Sequence, residues 1–408
     1  MTSNEASDKA LYKCPDFVME VLGEIATKHG IHRPNFTFQG GSEAGDGFIG
    51  VVTRVVIVDE ENTKELRLIC KHLKQDPDEN DIFTFMDMFQ REIFIYRHVF
   101  PEFVALQREK NIPKDEGFFS FPTCHFAQQH DDEAALIFDD LCASGYRMLP
   151  KRQCPDFEHV RLLMIQLGRL HALSFALREQ KPQILQSYHG LGDICTKFMR
   201  RKVMQPIAPK NCRLVQTILK PEETVLREYF KQWETTMWSE IAETIKGENA
   251  EPWAVITHGD CWINNFMYSY DDSQGNPMKI TLIDWQTCCY GSPVLDIYYF
   301  LFTCTDKPFR DAHYHACLDI YYESLSKLLK QLGGDADKQF PRKVFEEHMK
   351  KFGKLGMAMA TFTTPLDTEY VSGYDEKPEH TFFHSNKERY EVRMRGNITD
   401  FINFGFMH

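Results

Sequence analysis

Two carboxylates and a side-chain amide stand in a spacing that suits chemistry on phosphate. Asp260 and Asn265 lie within the stretch HGDCWINNF (His258–Phe266), and Asp284 ends the apolar run MKITLID. Between them, FMYSY and MKITLI read as two strands joined by the polar turn DDSQGNP. Antiparallel pairing sets the start of the first strand opposite the end of the second. Asn265 and Asp284 are therefore expected at the open end of this hairpin, with Asp260 just upstream. Hard oxygen ligands of this kind suit Mg²⁺, which keeps water and shares phosphate oxygens. A carboxylate free of the metal could orient a nucleophile. Apolar neighbours would keep the loop rigid and dry, which strengthens its electrostatics. Trp262 and Trp285 flank the acids and read as wall packing.

Upstream residues supply what a nucleotide site needs. Gly40-Gly41-Ser42 and Gly45-Asp46-Gly47 form a Gly-rich loop between two predicted strands. Its backbone N–H groups at Gly41, Ser42, Gly45 and Gly47 could cradle phosphates. Lys71 ends a third strand and could point back toward that loop. Glu92, on the following helix, could pair with Lys71, with Arg91 and Glu65 as rival partners in the sequence. The segment Asp139, Asp140, Leu141, Cys142 would offer backbone groups to an adenine ring.

These residues need elements to hold them. CPDFVMEVLGEIATKHG (Cys14–Gly30) reads as an amphipathic helix closed by Gly30. The β-branched run GVVTRVVIV is a long strand. DIFTFMDMFQREIFIYRHVF has helical spacing, with Phe85, Phe89 and Tyr96 on one flank. The apolar strand EAALIF breaks at Asp139–Gly145, which marks a lobe boundary. Beyond it, a long helix carries the buried stripe Val160, Leu163, Leu167, Leu170 and Leu177. His171 on that helix reads as a core or capping histidine. HYHAC (His313–Cys317) puts only some of its ligand-type residues on one helix face. The tail NKERYEVRMRGNITDFINFGFM is predicted to form a final amphipathic helix.

The chain has 408 residues, enough for two or three lobes. Its formal net charge of -12 repels a phosphate backbone, so nucleic acid is not an expected partner. KFMRRK (Lys197–Lys202) reads as a solvated helix face. The N-terminus MTSNEASDKALYK lacks an apolar run, and no secretory signal or membrane insertion is expected. Twelve cysteines are scattered without a CxxC pair, and the adjacent Cys288 and Cys289 suit neither an easy disulfide nor a tetrahedral metal site. Reduced thiols and a cytoplasmic location are expected, which makes the sequons at Asn35 and Asn397 chance matches.

The order Gly-rich loop, strand Lys, helix Glu, hinge, Asp…Asn loop, metal Asp is that of a kinase. Protein kinases have His-Arg-Asp and Asp-Phe-Gly where this chain has His-Gly-Asp and Asp-Trp-Gln. The chain then runs DWQTCCYGSPVLDIYYFL into a helix, with no Ala-Pro-Glu segment. This pattern resembles the choline kinase and aminoglycoside phosphotransferase branch of the protein kinase-like superfamily. HGDCWINNFMYSYDD…PMKITLIDWQTCCYGSPVLDIYYFL, with LIFDDL, LGRLHALSFAL and LGMAMATFTTPLD, looks closer still to the ecdysteroid kinase-like (CHK kinase-like) family. The likeness runs over about residues 35 to 400.

The resemblance implies an α+β, two-lobed protein kinase-like fold with a small β-rich N-lobe and a larger, mainly helical C-lobe. It places the N-terminal lobe at residues 1–138, a hinge at 139–145 and the catalytic lobe at 146–408. It implies ATP- and Mg²⁺-dependent transfer to a hydroxyl of a small-molecule alcohol, an ecdysteroid or similar lipophilic acceptor. By position, Asp260 is the base, Asn265 and Asp284 hold Mg²⁺, Lys71 contacts phosphates and Glu92 positions Lys71. Asp296 supports the catalytic loop and His258 anchors it. Glu43 and Asp46 make the Gly loop more acidic than a phosphate cradle would prefer. A choline-like amino-alcohol kinase and a non-catalytic, ligand-binding pseudokinase are the alternatives. A phosphate-ester hydrolase would not need the Lys71–Glu92 arrangement.

Overall fold

The computed structural model describes residues 14–41, 50–73, 82–130, 133–150, 153–189, 194–271, 273, 275–368 and 387–407. The chain divides into two units. The first is Met1–Pro101, Phe121–Arg147 and Thr281–Gln286; the second is Glu102–Ser120, Met148–Ile280 and Thr287–His408. The first unit takes back Thr281–Gln286, which carries Asp284, because that segment bonds to Lys71 and Glu92. A cut along the chain cannot express such a return.

In the first unit, α1 (Asp16–Lys28) precedes β1 (Pro34–Gly40), β2 (Gly50–Asp59) and β3 (Glu65–Leu73). After α2 (Ile82–Phe94) comes α3 (Phe100–Glu109), most of which falls in the second unit, and then β4 (Cys124–His130) and β5 (Glu133–Asp139) of the first. The five strands form one antiparallel sheet in the order β1-β2-β3-β5-β4. Helix α1 ends as its sequence predicts. Gly30 takes φ +72°, Ile31 N–H donates to Ala26 O and Gly30 N–H to Thr27 O. This double bond satisfies carbonyls that the helix end would otherwise leave bare.

Strand alternation sorts the sheet's two faces. Val55 and Ile57 of β2, Leu68 and Cys70 of β3, and Ala135 and Ile137 of β5 share a buried cluster with Val18, Leu22 and Ile25 of α1. Each fully buried side chain of this size contributes about 1.5–3 kcal/mol. Lys71 follows Cys70 and so belongs to the opposite face.

The helix expected to finish near Phe100 continues to Glu109 through a π-helical turn at Ile95–Val99. Pro101 has no N–H to offer the preceding turn. The widened turn absorbs that defect, with Phe100 N–H reaching Ile95 O.

The second unit is mainly helical. The short strand β6 (Arg147–Met148) leads to α4 (Phe157–Gln180), α5 (Pro182–His189), α6 (Ile194–Met199), α7 (Ile207–Ile218) and α8 (Thr224–Thr244). Next come β7 (Val255–Ile256), β8 (Phe266–Tyr270), β9 (Pro277–Leu282) and β10 (Tyr290–Gly291). Strands β8 and β9 pair as the predicted hairpin, with Asp271 N–H donating to Asn276 O across the turn. Then follow α9 (Val294–Cys304), α10 (Lys307–Gln331), α11 (Ala336–Gln339), α12 (Arg342–Phe352), α13 (Lys354–Asp367) and α14 (Lys387–Asn403).

Two helices set this unit's core. The predicted stripe on α4 is buried, and Gly168 lets α10 approach so closely that a Cβ there would meet Tyr321 O at 2.4 Å. Among the described residues α4 is long and apolar enough to cross a membrane; here it is a core helix, buried over most of its length. Helix α9 is buried along its whole length. The tail helix α14 docks through Tyr390, Met394, Ile398 and Phe401. Two buried ion pairs tie it down: Arg310 to Asp400 at 2.6 Å and Arg393 to Asp367 at 2.8 Å.

Candidate active site

The first unit gathers Lys71, Glu92 and Asp284. Lys71 Nζ lies 2.6 Å from Glu92 Oε2 and 2.6 Å from Asp284 Oδ1, and it donates to Gln286 Oε1 at 3.2 Å. Glu92 Oε1 accepts from Trp285 N–H at 3.2 Å. The rival pairing is resolved, since Glu65 binds Arg67 and leaves Glu92 to Lys71. Gln286 Nε2 donates to Asp284 Oδ2 at 3.1 Å and closes the circuit. Trp285 is buried, donates Nε1–H to Leu282 O and meets Phe100 edge-on, so it is wall packing.

Burial alone would depress the Lys71 ammonium, but Asp284 and Glu92 outweigh it and raise its pKa. Burial, with Asp284 nearby, pushes Glu92 up against the pull of Lys71. One cation thus serves two carboxylates. Asp284 also takes φ 65°. Aspartate tolerates this left-handed region better than most residues with a Cβ, and such conformations concentrate at functional positions.

The anticipated nucleotide segments are described only in part. Gly41 N–H donates to Val52 O, and a Cβ at Gly41 would meet Val52 Cγ1 at 2.8 Å. Ser42, Gly45 and Gly47 lie outside the described residues. At Asp139–Leu141 two of the backbone amides are already bonded within the protein. Asp139 N–H donates to Thr123 O, and Asp140 N–H to Arg67 O. Asp140 is buried, pairs with Arg54 at 2.7 Å and caps the short helix Leu141–Ser144. The amides of Asp139 and Asp140 are therefore committed within the protein, because the strand ladder needs them.

The second unit builds the loop that carries Asp260. Gly259 has φ +82°, and a Cβ there would lie 2.1 Å from Thr287 O. The Gly in His-Gly-Asp is thus a backbone requirement. Asp296 on α9 clamps the loop: Oδ2 accepts from His258 N–H at 2.7 Å and Oδ1 from Gly259 N–H at 3.0 Å. His171 on α4 backs Asp296 at 3.3 Å and pairs its other ring nitrogen with Tyr321 OH at 2.8 Å. Burial opposes ionisation of Asp296, yet His171, His258 and the Gly259 amide outweigh it and lower its pKa.

Asp260 is held from both sides. Tyr299 OH donates to its Oδ1 at 2.6 Å, and Asn265 Nδ2 donates to its Oδ2 at 2.9 Å. Asn265 Nδ2 also donates to Asp260 O at 2.9 Å. Of the pair Asn264 and Asn265, the second touches Asp260. His258 is buried, and its Nδ1 accepts from Asp260 N–H at 3.3 Å, an anchoring contact.

Asn265 and Asp284 each carry an oxygen donor of the kind Mg²⁺ accepts. Asn265 commits its amide nitrogen to Asp260, so Oδ1 is the atom that can meet a cation. Asp284 offers a carboxylate. Both are hard ligands of the type Mg²⁺ selects. Among the described residues no group of three or more His, Cys, Asp or Glu converges as a metal cluster. His313 instead packs its ring against Phe157 and Phe309. In the KFMRRK stretch, Lys197, Arg200 and Lys202 are exposed, while Arg201 lies over the Phe198 ring. All twelve cysteines are free thiols.

Sequence reasoning missed three residues: Tyr299, Gln286 and the role of His171 behind Asp296. Tyr299 carried a faint signal, since it follows Asp296 by one helical turn and shares its face.

The first unit carries a five-stranded sheet whose Lys71 pairs with Glu92 of α2, and the second, mainly helical unit carries the Asp260…Asn265 loop. The chain belongs to the ecdysteroid kinase-like family, whose model matches residues 44–334. It is similar to 4-hydroxytryptamine kinase of Psilocybe cyanescens, 40% identical over 45 residues, a match spanning 11% of this chain and 12% of that protein. Among solved structures, it is similar to the choline kinase of Cryptosporidium parvum Iowa II at 13% identity (TM-score 0.46), covering 95% of this chain and 98% of that one. The Plasmodium vivax ethanolamine kinase is 12% identical (TM-score 0.41), with 90% and 81% covered. The GDP complex of aminoglycoside 2'-phosphotransferase-IIIa is 12% identical (TM-score 0.40), with 83% and 98% covered.

Proposed function

We propose that this protein is an ATP- and Mg²⁺-dependent phosphotransferase whose acceptor is a hydroxyl of a small lipophilic alcohol of the ecdysteroid type. The observation that carries the reading is the Lys71–Glu92 pair at 2.6 Å, with Glu92 buried. Phosphoryl transfer depends on positioning and charge neutralisation more than on covalent help. A lysine fixed by a buried glutamate supplies both for a phosphate. Family membership and the intact Asp260, Asn265 and Asp284 support the same reading.

Each residue has one task. Lys71 meets the α/β-phosphates and Glu92 keeps its Nζ in place. By their places in the family pattern, Gly41, Ser42, Gly45 and Gly47 are assigned to the phosphates and the Asp139–Leu141 segment to the base, through groups other than the bonded amides of Gly41, Asp139 and Asp140. Asp260 orients the acceptor hydroxyl and takes its proton. Asn265 and Asp284 would hold Mg²⁺, which supplies neutralisation of phosphate charge when bound.

ADP release with Mg·ATP tests this across a panel of ecdysteroids, choline, ethanolamine, aminoglycosides and 4-hydroxytryptamine. Stimulation by ecdysteroids, lost in Asp260→Asn, is expected. Stimulation by choline or ethanolamine alone would move the acceptor to the amino-alcohols. ATP binding without turnover on any acceptor would favour a pseudokinase.

A further inference from the structure

We propose that Tyr299 is the positioning residue for Asp260, fixing the plane of its carboxylate so that one oxygen edge faces the acceptor hydroxyl. The inference rests on the reading of Asp260 as the base.

The torsion that turns an aspartate carboxylate is broad and nearly two-fold, so the backbone alone does not set its plane. A donor on each oxygen does. Tyr299 OH sits 2.6 Å from Oδ1, and Asn265 Nδ2 sits 2.9 Å from Oδ2. The two donors differ in how firmly they are held. Asn265 belongs to the same loop as Asp260 and moves with it. Tyr299 belongs to α9, which is buried throughout. One turn earlier on that helix, Asp296 holds the amides of His258 and Gly259. A single rigid helix therefore references both the loop backbone and the carboxylate.

The chemistry of the donor also fits. A phenol brings a hydrogen bond without a charge, so it orients the carboxylate without cancelling it. Burial, with Asp260 close by, pushes the Tyr299 phenol well above its ordinary range, so it remains a donor. Each carboxylate oxygen has two acceptor positions. Tyr299 takes one on Oδ1 and Asn265 takes one on Oδ2.

The test is a double-mutant cycle between Tyr299→Phe and Asp260→Ala, read by single-turnover and steady-state kinetics with Mg·ATP and an ecdysteroid, or whichever member of the panel stimulates ADP release. Tyr299→Phe should lower kcat by roughly 10- to 100-fold, with KM for both substrates within about twofold of wild type. In the Asp260→Ala background the same change should cost less than about twofold. An equal loss in both backgrounds would assign Tyr299 a purely structural role and overturn the proposal. So would an unchanged kcat in Tyr299→Phe when Asp260→Ala is inactive. Tyr299→Leu, which also lacks the hydroxyl, guards against a folding defect peculiar to one variant. If the wild-type protein transfers phosphate to no acceptor, the reading of Asp260 as a base fails, and this inference fails with it for a distinguishable reason.

Discussion

Lys71 and Asp284 meet at 2.6 Å although 213 residues separate them. The contact explains why the short segment Thr281–Gln286 belongs to the sheet-bearing unit. It also places a left-handed backbone position beside the cation, since Asp284 alone among these residues has positive φ.

Asp284→Ala and Asp284→Gly separate the two roles of this position. Both remove the carboxylate, and both should weaken Mg·ATP binding at least roughly tenfold, measured by calorimetry at varied Mg²⁺. Only glycine relieves the φ of 65°. Asp284→Gly should therefore be more stable than Asp284→Ala by about 1 kcal/mol in denaturant unfolding. Equal stabilities would show that the left-handed backbone stores no strain.

Asp260→Asn keeps the volume of the side chain and loses the base. Transfer to the acceptor should fall by about 10²–10⁴-fold, with the unfolding midpoint and ATP affinity close to wild type. A variant that keeps most of the wild-type rate would exclude proton acceptance by Asp260.

Gly259→Ala meets two penalties together. Its φ of +82° is hostile to a Cβ, and that Cβ would lie 2.1 Å from Thr287 O. A loss of about 2–4 kcal/mol in unfolding free energy is expected. A near-neutral effect would mean that the loop and Thr287 separate readily.

A pH dependence of stability should trace to His348, which is buried and hydrogen-bonded through Nδ1 to Ser292 Oγ at 2.7 Å. Burial, and secondarily the charge of Lys351, lowers its pKa from 6.5 to about 4. Between these values the unfolded chain binds the proton and the folded chain does not. The stability is fully present above pH 6.5 and is lost as pH falls toward about 4. Replacing the imidazole in His348→Gln should flatten the slope of unfolding free energy over that window, measured by urea titration at several pH values. An unchanged slope would assign the acid limb to other groups.

Local elements are written in the sequence, and so are the side chains proposed to react. The β-branched run of β2, the apolar stripe of α4 and the glycine that ends α1 act through period and backbone freedom, which are local properties. Asp260, Asn265 and Asp284 were legible because their spacing is short and their flanks are distinctive. Their partners come from the fold. Glu92 had rivals in sequence, and the sheet face opposite α1 selected it for Lys71. Tyr299, Gln286 and His171 look like ordinary core or turn residues until α9, β3 and α4 bring them to their partners. The physical reason is that hydrogen bonds and ion pairs act over a few ångströms of space, while their partners lie 39, 215 and 125 residues away along the chain.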